Sequence, residues 1–269
     1  MEIRDILGIE PIAEAGLQVT QASIDGISSF LRAVCLPGLQ ELGYMIQDKV
    51  RYWRLNNVLR MLEKAKGKMT FEGKEFNLIA NPRVGLSIIN NSSEVDNDEL
   101  QDLWAGLFIS SCSADGQDDS NMNFVDLIRR MSSVEARILD YACRNCRKVV
   151  YPNKLIVAED FIISFEELIE IAKTNDIYRL DSELDHMRSL EILITGGAFN
   201  SGGGFDASDS DLSANITPSA LALNLYYKTH SIGSSPIGFW GDALIPIESL
   251  EQSESNDSST FKTHPEEND

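Results

Sequence analysis

Apolar residues recur along much of the chain at the spacing of one helix face. Between residues 10 and 36, Leu17, Ile24, Ile27, Leu31 and Val34 follow at steps of 7, 3, 4 and 3, which predicts an amphipathic helix. Gly8 precedes that segment and Gly16 and Gly26 punctuate it, and each helical glycine costs up to about 1 kcal/mol relative to alanine. Such a helix needs a packing partner: the protein's own core, a second protomer or a membrane surface. Pro37-Gly38 breaks the pattern, and a second helix is expected from Leu39 to about Lys66, with Gly67 as its C-cap.

Asp96 and Glu99 have the spacing of a capping box, opening a helix over about 97–112 whose inward face is Leu100, Leu103, Trp104 and Leu107. Trp104 is therefore expected in the core rather than at a ligand. A polar loop follows over 115–123, then a short helix over 124–131. Ser132-x-x-Glu135 predicts the start of a helix carrying Val134, Ile138, Leu139, Ala142 and Val149. Ser164-x-x-Glu167 opens a shorter one with Phe165, Leu168, Ile169 and Ala172, and a third spans Ile177 to Leu190. Ile192–Ile194 reads as a strand, Gly196–Asp211 as a glycine-rich wing, and Ala214–Ile216 as the returning strand of a short β-hairpin. Thr217-Pro218 then reads as an N-cap with proline at the first helical position, opening a helix to Tyr227.

The predicted architecture is mostly α: a helical region over 1–131, a winged-helix-like module over 132–230, an extension over 231–247 and a disordered acidic tail over 248–269. That tail holds seven acids and one lysine.

Charge sharpens the picture. The 269 residues carry 23 Lys+Arg against 42 Asp+Glu, a formal net charge of −19. Such a balance argues against partners held mainly through phosphates, whether duplex DNA or an anionic bilayer. The charge is also segregated. Lys49 to Lys68 holds seven basic residues and one acid, Glu63, whereas Val84 to Ile128 holds nine acids and no Lys or Arg. Arg51 and Arg54 lie three apart on one helix, so pairing of either with Glu99 or Asp102 is expected, within a chain or across a homodimer.

No catalytic signature emerges. Cys143-x-x-Cys146 lacks the further ligands of a structural zinc and the preceding strand of a redox site, so both are read as buried helical thiols. The three histidines are scattered, the glycine runs lack the Lys-Ser/Thr of a phosphate-binding loop, and the 115–119 acids lack calcium-loop spacing. No cofactor, metal or enzymatic activity is assigned. With neither a signal peptide nor a long apolar span, the expected location is the cytoplasm. The helix expected to read DNA in a winged module carries Asp176, Asp181, Glu183, Asp185 and Glu191 against Arg179 and Arg188, a charge that opposes the major groove.

The stretches Asp48-Lys-Val-Arg51-Tyr-Trp-Arg54-Leu-Asn-Asn57, Leu62 to Ala65, Asn81-Pro82, Glu99-Leu-Gln-Asp102-Leu-Trp104-Ala-Gly-Leu107, Phe124-Val125 and Ser132 to Leu139 resemble the bacterial Abi-alpha (abortive infection alpha) family. The similarity runs from about Leu39 to Leu225. It implies a role in abortive infection, a defence in which a cell infected by bacteriophage stops growing or dies, and it carries over no catalytic residue. Its motifs single out Arg51, Arg54, Asn57, Glu99, Asp102 and Trp104 as candidate structural residues. The sequence thus points to an antiphage protein acting by protein–protein contact, with another protein or its own copies, or by toxicity. The alternatives are a winged-helix DNA-binding regulator and a membrane-perturbing effector using the helix at 10–36. Arg32 against Glu10, Glu14 and Asp25 leaves that helix short of the basic polar face a bilayer favours.

Overall fold

The computed structural model describes residues 49–71, 79–194, 199, 212–231 and 235–249. The helix expected over 10–36, the start of the one expected from Leu39, most of the glycine-rich wing and nearly all of the acidic tail lie outside the described residues. Within them the chain is mostly α-helical, with short strands. It divides into two units: residues 1–137 with 225–234, and residues 138–224 with 235–269.

In the first unit, α1 (Lys49–Phe71), α2 (Pro82–Ser92), α3 (Asp98–Ser110) and α4 (Met122–Arg130) pack around α3. From Leu100 to Ile109 every residue of α3 except Asp102 is buried, as expected of a helix nearly apolar all round. Trp104 is 1% exposed and Phe108 fully covered, so Trp104 is a core residue, as its helical position implied. From α1 come Leu55, Val58, Leu59, Met61, Leu62, Ala65 and Met69. Two short strands, β1 (Ile79–Ala80) and β2 (Cys112–Ser113), pair antiparallel and join the chain before α2 to the chain after α3.

Three local expectations change. First, α1 does not stop at Gly67 but continues to Phe71. Met69, fully buried, gives the extra turn an apolar anchor, and Gly67 lies mid-helix with open space around it. Second, the cap of α3 is Asn97, whose side chain accepts from the Leu100 N–H at 3.0 Å; Asp96 is not its capping residue. Third, α2 adds a helix that hydrophobic periodicity did not single out. It opens in a standard way, with Asn81 accepting from the backbone N–H groups of Arg83 and Val84 and Pro82 at its first position.

In α5 (Ser133–Asn145), which contributes residues to both units, Ser132 and Glu135 form the predicted capping box. The Glu135 N–H donates to Ser132 Oγ at 3.2 Å and the Ser132 N–H to the Glu135 carboxylate at 2.7 Å. The second unit contains the rest of α5, β3 (Lys148–Val150), β4 (Ile156–Ala158), β5 (Ile162–Ser164), α6 (Phe165–Ala172), α7 (Ile177–Ser189), β6 (Ser213–Asn215) and the start of α8 (Ala220–His230). It ends with α9 (Pro236–Trp240), a 3-10 turn and β7 (Leu244–Pro246). Val149, expected on the helix, lies in β3, in a three-stranded sheet of order β4-β3-β7 with β4 antiparallel and β7 parallel to β3.

The hairpin expected between 192–194 and 214–216 is replaced by another pairing. β6 runs antiparallel to β5, with Ile163 opposite Ala214, and among the described residues of 192–199, Leu193 bridges to Pro218 and Phe199 to Ala214. At the start of α8, Ser219 takes the role expected of Thr217: its Oγ accepts from the Ala222 N–H at 3.0 Å. Thr217 Oγ1 instead accepts from the Phe161 N–H at 2.7 Å, tying the chain after β6 to the chain before β5.

Candidate functional site

The opposed charge blocks meet along α1 and α3, and the geometry settles their register. Lys64 Nζ lies 2.9 Å from Asp98 and 3.0 Å from Asp102. Arg60 reaches Asp98 at 3.4 Å and donates to the Asp96 carbonyl at 3.1 Å, while Lys68 donates to the Asp102 carbonyl at 3.4 Å. Contacts that advance together from 60 to 68 and from 96 to 102 mean that the two helices run in the same direction. Bases at 60, 64 and 68 and acids at 98 and 102 each recur every four residues, one stripe per helix.

Of the pairs expected from the sequence, the described residues bear only on those of Arg54 within one chain, and Arg54 is engaged elsewhere. Arg54 donates from Nε to Ser93 Oγ at 2.8 Å and pairs with Glu94 at 3.4 Å, because it sits nearly two turns before Arg60 and faces the α2–α3 connection rather than α3. Glu99 turns the other way and meets Arg137 of α5 at 3.3 Å. Asp102 pairs with Lys64. The Arg51 side chain lies outside the described residues. Arg60, Lys64, Lys68 and Arg137 are the partners that sequence reasoning missed, although the four-residue period of the first three was available to find them.

Electrostatics follow the contacts. Burial works against the charge on Lys64, but hydrogen bonds to Asp98 and Asp102 overcome it and hold its pKa above the usual value. Desolvation dominates at Lys68 and lowers its pKa. The Lys64 hydrogen bond holds Asp98 below the ordinary carboxylate range. Burial pushes Glu99 upward, but hydrogen bonds from its own backbone N–H, Arg137 and Asn97 bring it down on balance.

Beneath this seam lies a buried polar cluster. Asn57, 2% exposed, donates from Nδ2 to the Ser93 carbonyl at 3.0 Å, and Gln101 donates from Nε2 to the carbonyls of Ser92, at 3.0 Å, and Val95. These bonds fasten the α2–α3 connection to both helices. Asn56 Oδ1, Gln101 Oε1 and Trp104 Nε1 are buried without a hydrogen-bond partner. Among the described residues the seam brings together no nucleophile–base pair, and its contacts are those of a clamp between helices.

The cysteine pair is equally quiet. Cys143 and Cys146 are buried, their thiols donate to the Ala222 and Cys143 carbonyls at 3.9 Å, and burial pushes the Cys143 pKa well up and the Cys146 pKa up. Cys146 lies just beyond the end of α5 rather than within it. Among the described residues no group of three or more His, Cys, Asp or Glu is placed to hold a metal, and no helix is long and apolar enough to cross a membrane.

The exposed face of α7 differs in character. Its inward side is Leu180, Leu184 and Met187, all fully buried. Asp176 caps it, accepting from the Tyr178 and Arg179 N–H groups at 3.1 Å. Tyr178, in the first turn, is 86% exposed, more than any other large apolar side chain among the described residues. Both arginines of the helix pair with carboxylates of the same helix: Arg179 with Glu183 at 3.4 Å, and Arg188 with Asp185. The face is therefore an acidic surface with one protruding aromatic ring.

The model of the family described as Abortive infection alpha matches residues 54–232, well over half of the chain and inclusive of the α1–α3 seam and α7. No curated protein and no solved structure matches the chain.

Proposed function

We propose, on the premise that this chain belongs to the abortive infection alpha family, that it acts in antiphage abortive infection by docking on another protein through the exposed face of α7. Tyr178 is the observation that carries this reading. An aromatic ring left in water on a helix whose inward side is packed supplies contact area at little conformational cost, the usual profile of an interface anchor. Asp176, Asp181 and Asp185 around it favour a basic partner surface and oppose a phosphate backbone. The run β5, α6, α7, β6, α8, which follows α5 after the β3–β4 pair, supports a winged-helix-like module used for protein contact rather than base reading. Toxicity to the infected cell is the downstream outcome of that contact.

The test is a phage panel plated on cells carrying the wild-type gene, Tyr178→Ala, or Asp181→Lys with Asp185→Lys. Protection by the wild type that is lost in both variants, while purified proteins keep their melting temperatures, is the expected result. Full protection by Tyr178→Ala would overturn docking through α7. A nanomolar dissociation constant for random duplex DNA, weakening steeply with salt, would replace the reading with a DNA-binding regulator.

A further inference from the structure

The segment after α8 is built differently from the rest of the second unit. No residue from Ser235 to Ser249 is buried, whereas β3, β4, β5 and β6 each bury at least one side chain. Yet the segment has its own local order. Ser235 Oγ accepts from the Gly238 N–H at 3.1 Å to cap α9, the Phe239 N–H donates to the Ser235 carbonyl at 2.8 Å, and the Phe239 and Trp240 rings meet edge-on at 4.7 Å. Two contacts define its seat: β7 lies parallel to β3 over three residues, and the Lys148 ammonium sits 4.7 Å from the centre of the Trp240 ring. That ammonium also donates to the Cys146 carbonyl at 2.8 Å, so the cationic half of the contact is fixed in the unit that receives the strand. Between the end of α8 and the start of α9 the chain reads Ser231-Ile-Gly-Ser-Ser235.

We propose that the strap Ser235–Pro246 is exchangeable between copies of this protein, its β7 and Trp240 docking on the β3 and Lys148 of a second copy. The occupant is identified by the seat itself, since the strap already carries the strand and the ring that fit there. A strap that is locally ordered and nowhere more than half-buried can leave its seat without opening the core and keep its shape in solution. The closed and exchanged forms make the same contacts, so protein concentration decides between them, as in domain swapping. The inference is independent of the α7 reading.

Val150 and Pro246 are register partners at the end of the β3–β7 pair, one half-buried and the other exposed. In a Cys35→Ser, Cys112→Ser background, Val150→Cys and Pro246→Cys on one chain should cross-link within that chain under a short thiol-reactive reagent. Chains carrying Val150→Cys alone, mixed with chains carrying Pro246→Cys alone, can cross-link at this site only between copies. Expected is a covalent heterodimer that increases as protein is raised from micromolar towards millimolar, alongside a dimer of the wild-type protein in size-exclusion with light scattering. Cross-linking of the double variant with none in the mixture at any concentration would overturn the exchange. Failure of the double variant to close would overturn the register on which it rests.

Discussion

The same substitution, glycine to alanine, should have opposite signs at two helical positions of this protein. A Cβ built on Gly106 of α3 would lie 1.6 Å from the Thr229 carbonyl oxygen, 2.5 Å from its carbon and 2.8 Å from its Cα. Carbon–oxygen contacts settle near about 3.3 Å, so the backbone of α8 would have to retreat by roughly 1.5 Å or more. No flexible side chain can absorb that movement, because the obstacle is main chain and Thr229 is buried, with Oγ1 donating towards the Leu225 and Tyr226 carbonyls. Overpacking costs typically about 1–3 kcal/mol, and a main-chain obstacle belongs at the upper end, against about 1 kcal/mol regained from the better helix former. Gly106→Ala should therefore destabilise by about 2 kcal/mol. At Gly67 of α1 a Cβ meets nothing within 4 Å, so Gly67→Ala should stabilise by about 0.5–1 kcal/mol. Urea unfolding reads both as shifts of midpoint at constant slope. A Gly106→Ala midpoint at or above wild type would refute the close approach of α3 and α8, and a destabilised Gly67→Ala would refute the continuation of α1 through residue 67.

Three further outcomes follow from the first unit and one from the second. Trp104→Ala should cost about 3–5 kcal/mol, whereas Trp104→Phe should cost far less because the lost N–H has no partner, and a melting series separates the two. In double-mutant cycles, Lys64 with Asp102 should couple by at most about 1 kcal/mol and Arg54 with Glu99 by nothing, and a sizeable Arg54–Glu99 coupling would reverse the register of the seam. Asp98 and Glu99 have depressed pKa values when folded, so their stabilisation is complete above about pH 5 and is lost as pH falls through the folded values. The urea midpoint should drop accordingly on acidification, and less so in Asp98→Asn. Cys143 and Cys146 should resist a thiol reagent until denaturant is added, and modification in native buffer would show that the second unit opens around them.

What the sequence made legible was what a few consecutive residues decide. Ser132 with Glu135, Ser164, and the apolar face of α7 announced helix starts that the structure keeps, although α5 ends at Asn145, short of the expected Val149. The burial of Trp104 followed from three leucines on its face. Decisions made by distant residues were lost. Gly67 looked like a stop because the anchoring by Met69 belongs to the folded core. The meeting of the basic and acidic blocks was expected, but Arg54 was given the wrong partner, since pairing depends on the rotation of α1 about α3, which charge counts do not encode. Strands of three residues, such as β3, β4 and β7, are too short to show alternation, and β7 finds its partner across the whole of the intervening unit. At Asn81-Pro82 the helix start was spelled out in the residues, and only the weak apolar period after it hid α2.

The cover over Gly106 has a consequence for how the protein is made. Thr229 lies over a hundred residues downstream of Gly106, yet both belong to the first unit, whose other residues end at Arg137. A ribosome adding about 5–20 residues per second needs roughly 5–25 s to travel that distance. Throughout that interval the nascent chain holds α3 with one side still uncovered, while residues 138–224 emerge and are free to form their own core. The first unit is thus closed only after most of the second has been made, and a truncated product ending before α8 would leave that side of α3 open to chaperones and proteases.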